Sequence, residues 1–164
     1  MTPSKHARKE ILEVINEVRT VVAAEGRSTL SKKYDVGRAI LRAMDWGLKE
    51  DELVEAIYDA TGAGREQLRT WADIAGDWRE EEFQYARAVA TREGVELTQW
   101  HLIQLGRIHD RRIRRVELVS AISFRLDQDE LRQAVNRHFD QLRLEFSLDE
   151  EERDIVQQFV SVPV

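Results

Sequence analysis

The sequence contains no cysteine, which excludes disulfides, thiolate catalysis and cysteine-ligated zinc. It has only two prolines, Pro3 and Pro163, so no interior position interrupts a helix through a missing N–H. It also lacks a run of about 18 apolar residues and an apolar segment after its first basic residues, so we expect neither a membrane span nor a secretory signal. These absences favour a cytoplasmic protein.

Familiar catalytic motifs are missing as well. The chain has no GxxxxGK[ST] phosphate loop, no GxSxG and no HExxH, and no two of its four histidines are spaced i, i+4. No lysine follows Lys49, so the Glu-x-Lys element of a restriction-type nuclease cannot form in the last two-thirds of the chain. We therefore predict no metal, no cofactor and no enzymatic activity.

Apolar residues recur at helical spacing along almost the whole chain, and we find no alternating pattern typical of strands. This predicts an all-α fold, a compact bundle of eight or nine helices that contains helix-turn-helix-like hairpins. Ser28 or Thr29, then Thr98 and Asp110, are predicted helix caps, and Asp127 with Glu130 has the spacing of a capping box. We predict a helical domain over residues 1–140, followed by an acidic helix and tail over residues 141–164 with a ninth helix at about 147–159.

One predicted hairpin has the spacing of a helix-turn-helix. Residues 53–72 (LVEAIYDATGAGREQLRTWA) place glycines at a turn with apolar residues on both sides. The second helix would present Arg65, Gln67, Arg69 and Thr70 to bases and phosphates. The alternative is an ordinary helical hairpin, because the surrounding block over residues 50–99 is strongly acidic and would repel phosphate.

A second candidate is the arginine-rich stretch GRIHDRRIRRVEL over residues 106–118, in a chain whose formal net charge is −6. Arg107, Arg111, Arg114 and Arg115 are spaced i, i+4, i+7 and i+8, so one continuous helix would align them for phosphate contacts. The alternatives are a solvated face or ion pairs with acidic segments of the same chain, residues 80–82 or 149–154.

Two further sets are apolar. Leu131, Val135 and Leu142 resemble a short coiled-coil seam that would join copies of the chain, and the alternative is packing onto the same chain. Four tryptophans beside apolar neighbours are interpreted as core anchors; they are Trp46, Trp71, Trp78 and Trp100.

Several segments, taken in order, resemble the N-terminal domain of the YhcG-type family of bacteria and mobile elements. They are YDVGRAI at residues 34–40, GREQLR at 64–69, LTQWH at 97–101, Arg112, and LDQDEL at 126–131. Longer members join that domain to a PD-(D/E)XK nuclease, which this sequence lacks. The resemblance implies a helical DNA-binding module without catalysis of its own.

Two functional hypotheses follow. The first is a helix-turn-helix-type protein that binds double-stranded DNA as a regulator or recruitment factor of a phage or mobile element. The second is an oligomeric protein–protein adaptor, such as a phage packaging or anti-defence component, that does not bind nucleic acid.

Overall fold

A computed structural model describes residues 4–24, 29–147 and 152 of the chain. These residues form eight α-helices and no strand, which confirms the predicted all-α fold. The helices are α1 (Lys5–Ala23), α2 (Leu30–Asp45), α3 (Glu50–Thr61), α4 (Arg65–Asp77), α5 (Glu80–Glu93), α6 (Gln99–Gly106), α7 (Arg111–Ser123) and α8 (Gln128–Ser147). None of them is both long and apolar enough to cross a membrane. The ninth helix predicted at 147–159 lies almost wholly outside the described residues, and α8 continues through position 140.

The predicted caps begin four of the helices. The side chains of Thr29, Thr98 and Asp110 each accept a hydrogen bond from a backbone N–H in the first turn that follows. Asp127 and Glu130 bond reciprocally, each side chain accepting from the other residue's backbone N–H at 2.9 Å. Local sequence therefore defines these helix starts, because each cap satisfies backbone donors that have no partner within the helix.

The helices surround two apolar clusters that meet along α4. The first cluster joins α1, α2, α3 and the first half of α4, and it includes Trp71. The second joins the end of α4 with α5, α6, α7 and α8, and it includes Trp78. Tyr34 of α2 belongs to the second cluster: its ring stacks on Phe83 with centroids 4.0 Å apart, and its hydroxyl donates to the Trp78 carbonyl at 2.7 Å.

Two sequence interpretations of apolar residues are corrected by this packing. Trp46 is not a core anchor, because 51% of its surface is exposed and it stacks on the exposed His6. Leu131 and Val135 are buried in the chain's own second cluster, so they are not available as a seam between copies. Leu142, the third residue of the predicted seam, is half-buried.

Candidate nucleic-acid interface

The predicted helix-turn-helix corresponds to α3, a turn and α4. Gly62 ends α3 in the left-handed conformation (φ 72°), and Arg65 begins α4. The Arg65 guanidinium forms a two-pronged ion pair with Glu55 and lies 3.7 Å from the centroid of the Tyr58 ring. The hydrogen bond from Arg65 lowers the pKa of Glu55, so the carboxylate stays ionised and this guanidinium is held by α3.

The other residues predicted on α4 are held in similar ways. Arg69 Nη2 donates to Asp51 Oδ1 at 3.0 Å, and the Thr70 hydroxyl donates to the Glu66 carbonyl at 2.9 Å. Gln67 is exposed at the start of the helix. Because acidic side chains of α3 neutralise both arginines, the structure does not assemble these four residues into a cationic surface.

The second arginine candidate is divided rather than continuous. Helix α6 ends at Gly106 and α7 begins at Arg111, so the connection over residues 107–110 breaks the predicted stripe. Arg107 lies in this connection and donates to Gln104 Oε1 at 3.0 Å and to Asn136 Oδ1 at 3.1 Å. It therefore belongs to a groove against α8, apart from the arginines of α7.

Arg114 is a buried structural residue, which corrects its predicted role in binding phosphate. Only 4% of its surface is exposed. Its Nε donates to the Ile108 carbonyl at 2.7 Å, and its Nη1 donates to the Asp77 carbonyl at 2.6 Å and to Glu82 Oε2 at 3.1 Å. Nη2 donates to the Gly106 carbonyl at 3.3 Å. Each guanidinium nitrogen already donates a hydrogen bond, so Arg114 links α4, α5 and α6 from the interior of the protein.

Glu82 is the partner shared by two arginines of α7. Its side chain is 8% exposed, and its second oxygen, Oε1, lies 2.9 Å from Nε of Arg111. Arg114 supplies one positive charge from the buried side, so the three side chains together keep a formal charge of +1. Arg111 is the outer member of this group, with 49% of its side chain exposed.

Around this group lies an open groove between α5 and α7, which we call the arginine groove. Its volume is about 270 Å³. Four arginines and two glutamates line it: Arg79, Arg111, Arg112, Arg115, Glu81 and Glu82. Arg115 lies 4.8 Å from the centroid of the Tyr85 ring. Within the described part of the chain, neither Arg79 nor Arg112 has a carboxylate within 4 Å.

Sequence reasoning missed Arg79 and Arg112 as site residues. Arg112 belongs to the arginine-rich stretch, but spacing alone ranked it below its neighbours. Arg79 directly precedes the acidic run 80–82, and no sequence pattern marked it as a site residue. In the structure this run is divided, because Glu80 lies 4.0 Å from Arg38 of α2 whereas Glu82 pairs with Arg114 of α7.

The groove offers several planar guanidinium groups to an outside anion. Such groups bind phosphate or carboxylate oxygens through paired hydrogen bonds.

Across residues 4–24 and 29–147 we find no cluster of histidine and acidic side chains able to hold a metal ion. Comparisons with protein-family models, curated proteins and solved structures find no match for this chain. Function is therefore inferred from the geometry of the groove.

Proposed function

We propose that this protein binds double-stranded DNA, without catalysing a reaction, by holding backbone phosphates in the arginine groove. The observation that carries the proposal is the charge arrangement there. Arg79, Arg111, Arg112 and Arg115 line one open groove, and buried Arg114 neutralises its inner carboxylate, Glu82. The four arginines of the groove, together with buried Arg114 behind it, outnumber its two glutamates and leave a formal charge of +3 in a protein that is acidic overall. Each guanidinium that meets a phosphate releases condensed counterions, which drives binding.

This proposal moves the interface from α4 to the start of α5 and α7. Phosphate contacts fix the position of a protein on DNA, whereas contacts with base edges supply sequence specificity. Gln67 and Thr70, the predicted base readers, adjoin arginines that are already paired with acidic residues of α3, and they receive no such role here. The resemblance to the YhcG-type domain is in keeping with a helical, non-catalytic DNA-binding module, and we retain a role as regulator or recruitment factor of a mobile element within the proposal.

The decisive experiment is a titration of the protein into a fluorescent DNA duplex of arbitrary sequence at several salt concentrations. We expect binding whose log affinity falls linearly with log salt, by about 0.9 for each phosphate contacted. An affinity that ignores salt, or no binding at low salt, would overturn the proposal. A duplex of arbitrary sequence is suitable because the groove offers phosphate contacts rather than base readout.

A second candidate function is the protein–protein adaptor, favoured by exposed apolar side chains on α7. Val116 is 66% exposed, and Phe124, just after the end of the helix, is 76% exposed. Val116 follows Arg112 by one helical turn, so a cationic and an apolar surface adjoin. Sedimentation measurements separate the two candidates: an oligomer that dissociates on Phe124→Ser and ignores DNA would favour the adaptor.

A further inference from the structure

We infer that a cleft between α1, α2 and the first turn of α5 binds a small zwitterion that carries both an ammonium and a carboxylate, the chemistry of a free amino acid. The cleft has a volume of about 460 Å³, within the range of small-molecule sites. Three cationic side chains (Lys32, Arg38, Arg42) and three acidic ones (Glu17, Asp35, Glu80) line it. The arginine groove contains none of these residues, so the inference is independent of the DNA proposal.

Glu17 of α1 is the group suited to the ammonium. Its Oε2 is shielded from solvent and has no hydrogen-bond partner among the described residues. Its Oε1 lies 4.0 Å from Arg42 Nη2, which is longer than a hydrogen bond. Burial raises the pKa of Glu17, Arg42 opposes the rise, and Asp35 adds to it. Glu17 lines the cleft and 38% of its side chain is exposed, so its carboxylate can be reached from the cleft.

Arg38 and Arg42 suit the opposite end of the ligand. They lie one turn apart on α2, and their nearest carboxylates are 4.0 Å away, at Glu80 for Arg38 and at Glu10 and Glu17 for Arg42. At that distance none of these carboxylates accepts a hydrogen bond from either arginine. Both arginines therefore keep donors for a ligand carboxylate.

The charge balance selects a zwitterion rather than a simple anion. The cationic and acidic side chains of the cleft are equal in number, so a polyphosphate would meet three carboxylates as well as three cations. A ligand with one charge of each sign can satisfy Glu17 and the arginines of α2 together. Val21 and the ring of Tyr34 add an apolar wall for the rest of such a ligand.

The test is a titration of the full chain, without DNA, with each standard L-amino acid in turn, followed by ¹H–¹⁵N NMR. We expect at least one amino acid to shift the amide signals of Thr20, Val21 and Tyr34. The best probe is then compared with its analogue lacking the amino group and its analogue lacking the carboxylate, and each should bind at least about tenfold more weakly. If no amino acid shifts these signals, or if the analogue without the amino group binds equally well, the inference is wrong.

Two variants with matched controls locate the site. Glu17→Gln should weaken the best probe about tenfold or more, whereas Glu13→Gln, one turn earlier on α1 and paired with Lys9, should not. Arg38→Gln should weaken it comparably while Arg87→Gln, on the exposed face of α5, leaves it unchanged. If Glu17→Gln does not fold, the comparison of Arg38→Gln with Arg87→Gln still tests whether the probe binds in the cleft. Unaltered binding in Arg38→Gln would overturn the inference, as would an equal loss in either control.

Discussion

A Cβ atom placed on Gly37 of α2 would lie 2.0 Å from the carbonyl oxygen of Trp71 in α4. The two helices therefore touch through their backbones at this point, and only a residue without a side chain fits. Tyr34, three residues earlier in the YDVGRAI segment, acts at the same junction, since its hydroxyl donates to the carbonyl of Trp78 at the end of α4. This segment thus sets how α2 packs on α4.

We expect Gly37→Ala to lower the free energy of unfolding by about 3 kcal/mol or more, because a backbone carbonyl cannot move aside as a flexible side chain can. The matched control is Gly76→Ala in α4, where the new methyl group would meet only Leu41 Cδ1 at 4.0 Å. That change should raise stability by about 0.5 kcal/mol through the better helix propensity of alanine. Urea unfolding of both variants checks the prediction, and similar values for the two would contradict it.

The helices and their caps could be predicted from the sequence because they depend on local patterns. Thr98 and Asp110 begin helices through side-chain bonds to the next turn, and no distant residue is needed. The roles of individual arginines could not be predicted in this way. Arg114 and Arg115 are adjacent and chemically identical, yet one is buried against Glu82 and the other lies over Tyr85. That difference depends on how α7 is rotated against α5, which is a property of tertiary packing.

The surroundings of apolar residues also depend on tertiary packing. Helical spacing marks Leu131 and Val135 as one face of α8, but it cannot say whether that face meets the same chain or a second copy. Trp46 follows the last residue of α2 and is 51% exposed, so its apolar neighbours in the sequence do not surround it in space.

Removing the charge of Glu82 should destabilise the fold. Glu82→Gln leaves the buried Arg114 guanidinium without a counterion, and we expect a loss of about 3 kcal/mol. Glu81→Gln is the matched control, since Glu81 is exposed one residue earlier and should change stability by less than about 0.5 kcal/mol. Denaturant unfolding at neutral pH measures both. A cost for Glu82→Gln no greater than that of the control would show that Arg114 does not depend on this ion pair.

The stability effect of Glu17→Gln should depend on pH. Burial raises the pKa of Glu17 in the folded chain above its ordinary value of 4.5. The folded state therefore holds this proton more tightly than the unfolded state, so ionisation of Glu17 lowers the free energy of unfolding. This cost applies in full above the folded pKa and is absent below 4.5. Near neutral pH the variant should be more stable than the parent, by less than about 1 kcal/mol because water partly screens the group. Thermal melts over a pH series should show this gain vanishing below the ordinary value; a gain that persists there would contradict the prediction.

Glu55→Gln should show the opposite sign. The hydrogen bond from Arg65 lowers the pKa of Glu55 in the folded chain, so its contribution to stability is present above the ordinary value of 4.5 and lost as pH falls through the folded pKa. The variant should be less stable than the parent near neutral pH, and the two should converge in acid. The same series of melts measures this difference, and a variant as stable as the parent at neutral pH would show that the Arg65 pair contributes nothing to folding.

Two double variants of equal charge test whether DNA binds to the arginine groove or to the predicted helix-turn-helix. Arg112→Gln with Arg115→Gln should weaken duplex binding and lower the slope of log affinity against log salt by about two, since each lost phosphate contact removes about one. Arg65→Gln with Arg69→Gln should change that slope much less, because Glu55 and Asp51 already occupy those guanidinium groups. Both double variants alter net charge equally, so a general charge effect cancels in the comparison. Equal losses would mean that binding follows overall charge, and a larger loss for the α4 pair would place the interface on the helix-turn-helix after all.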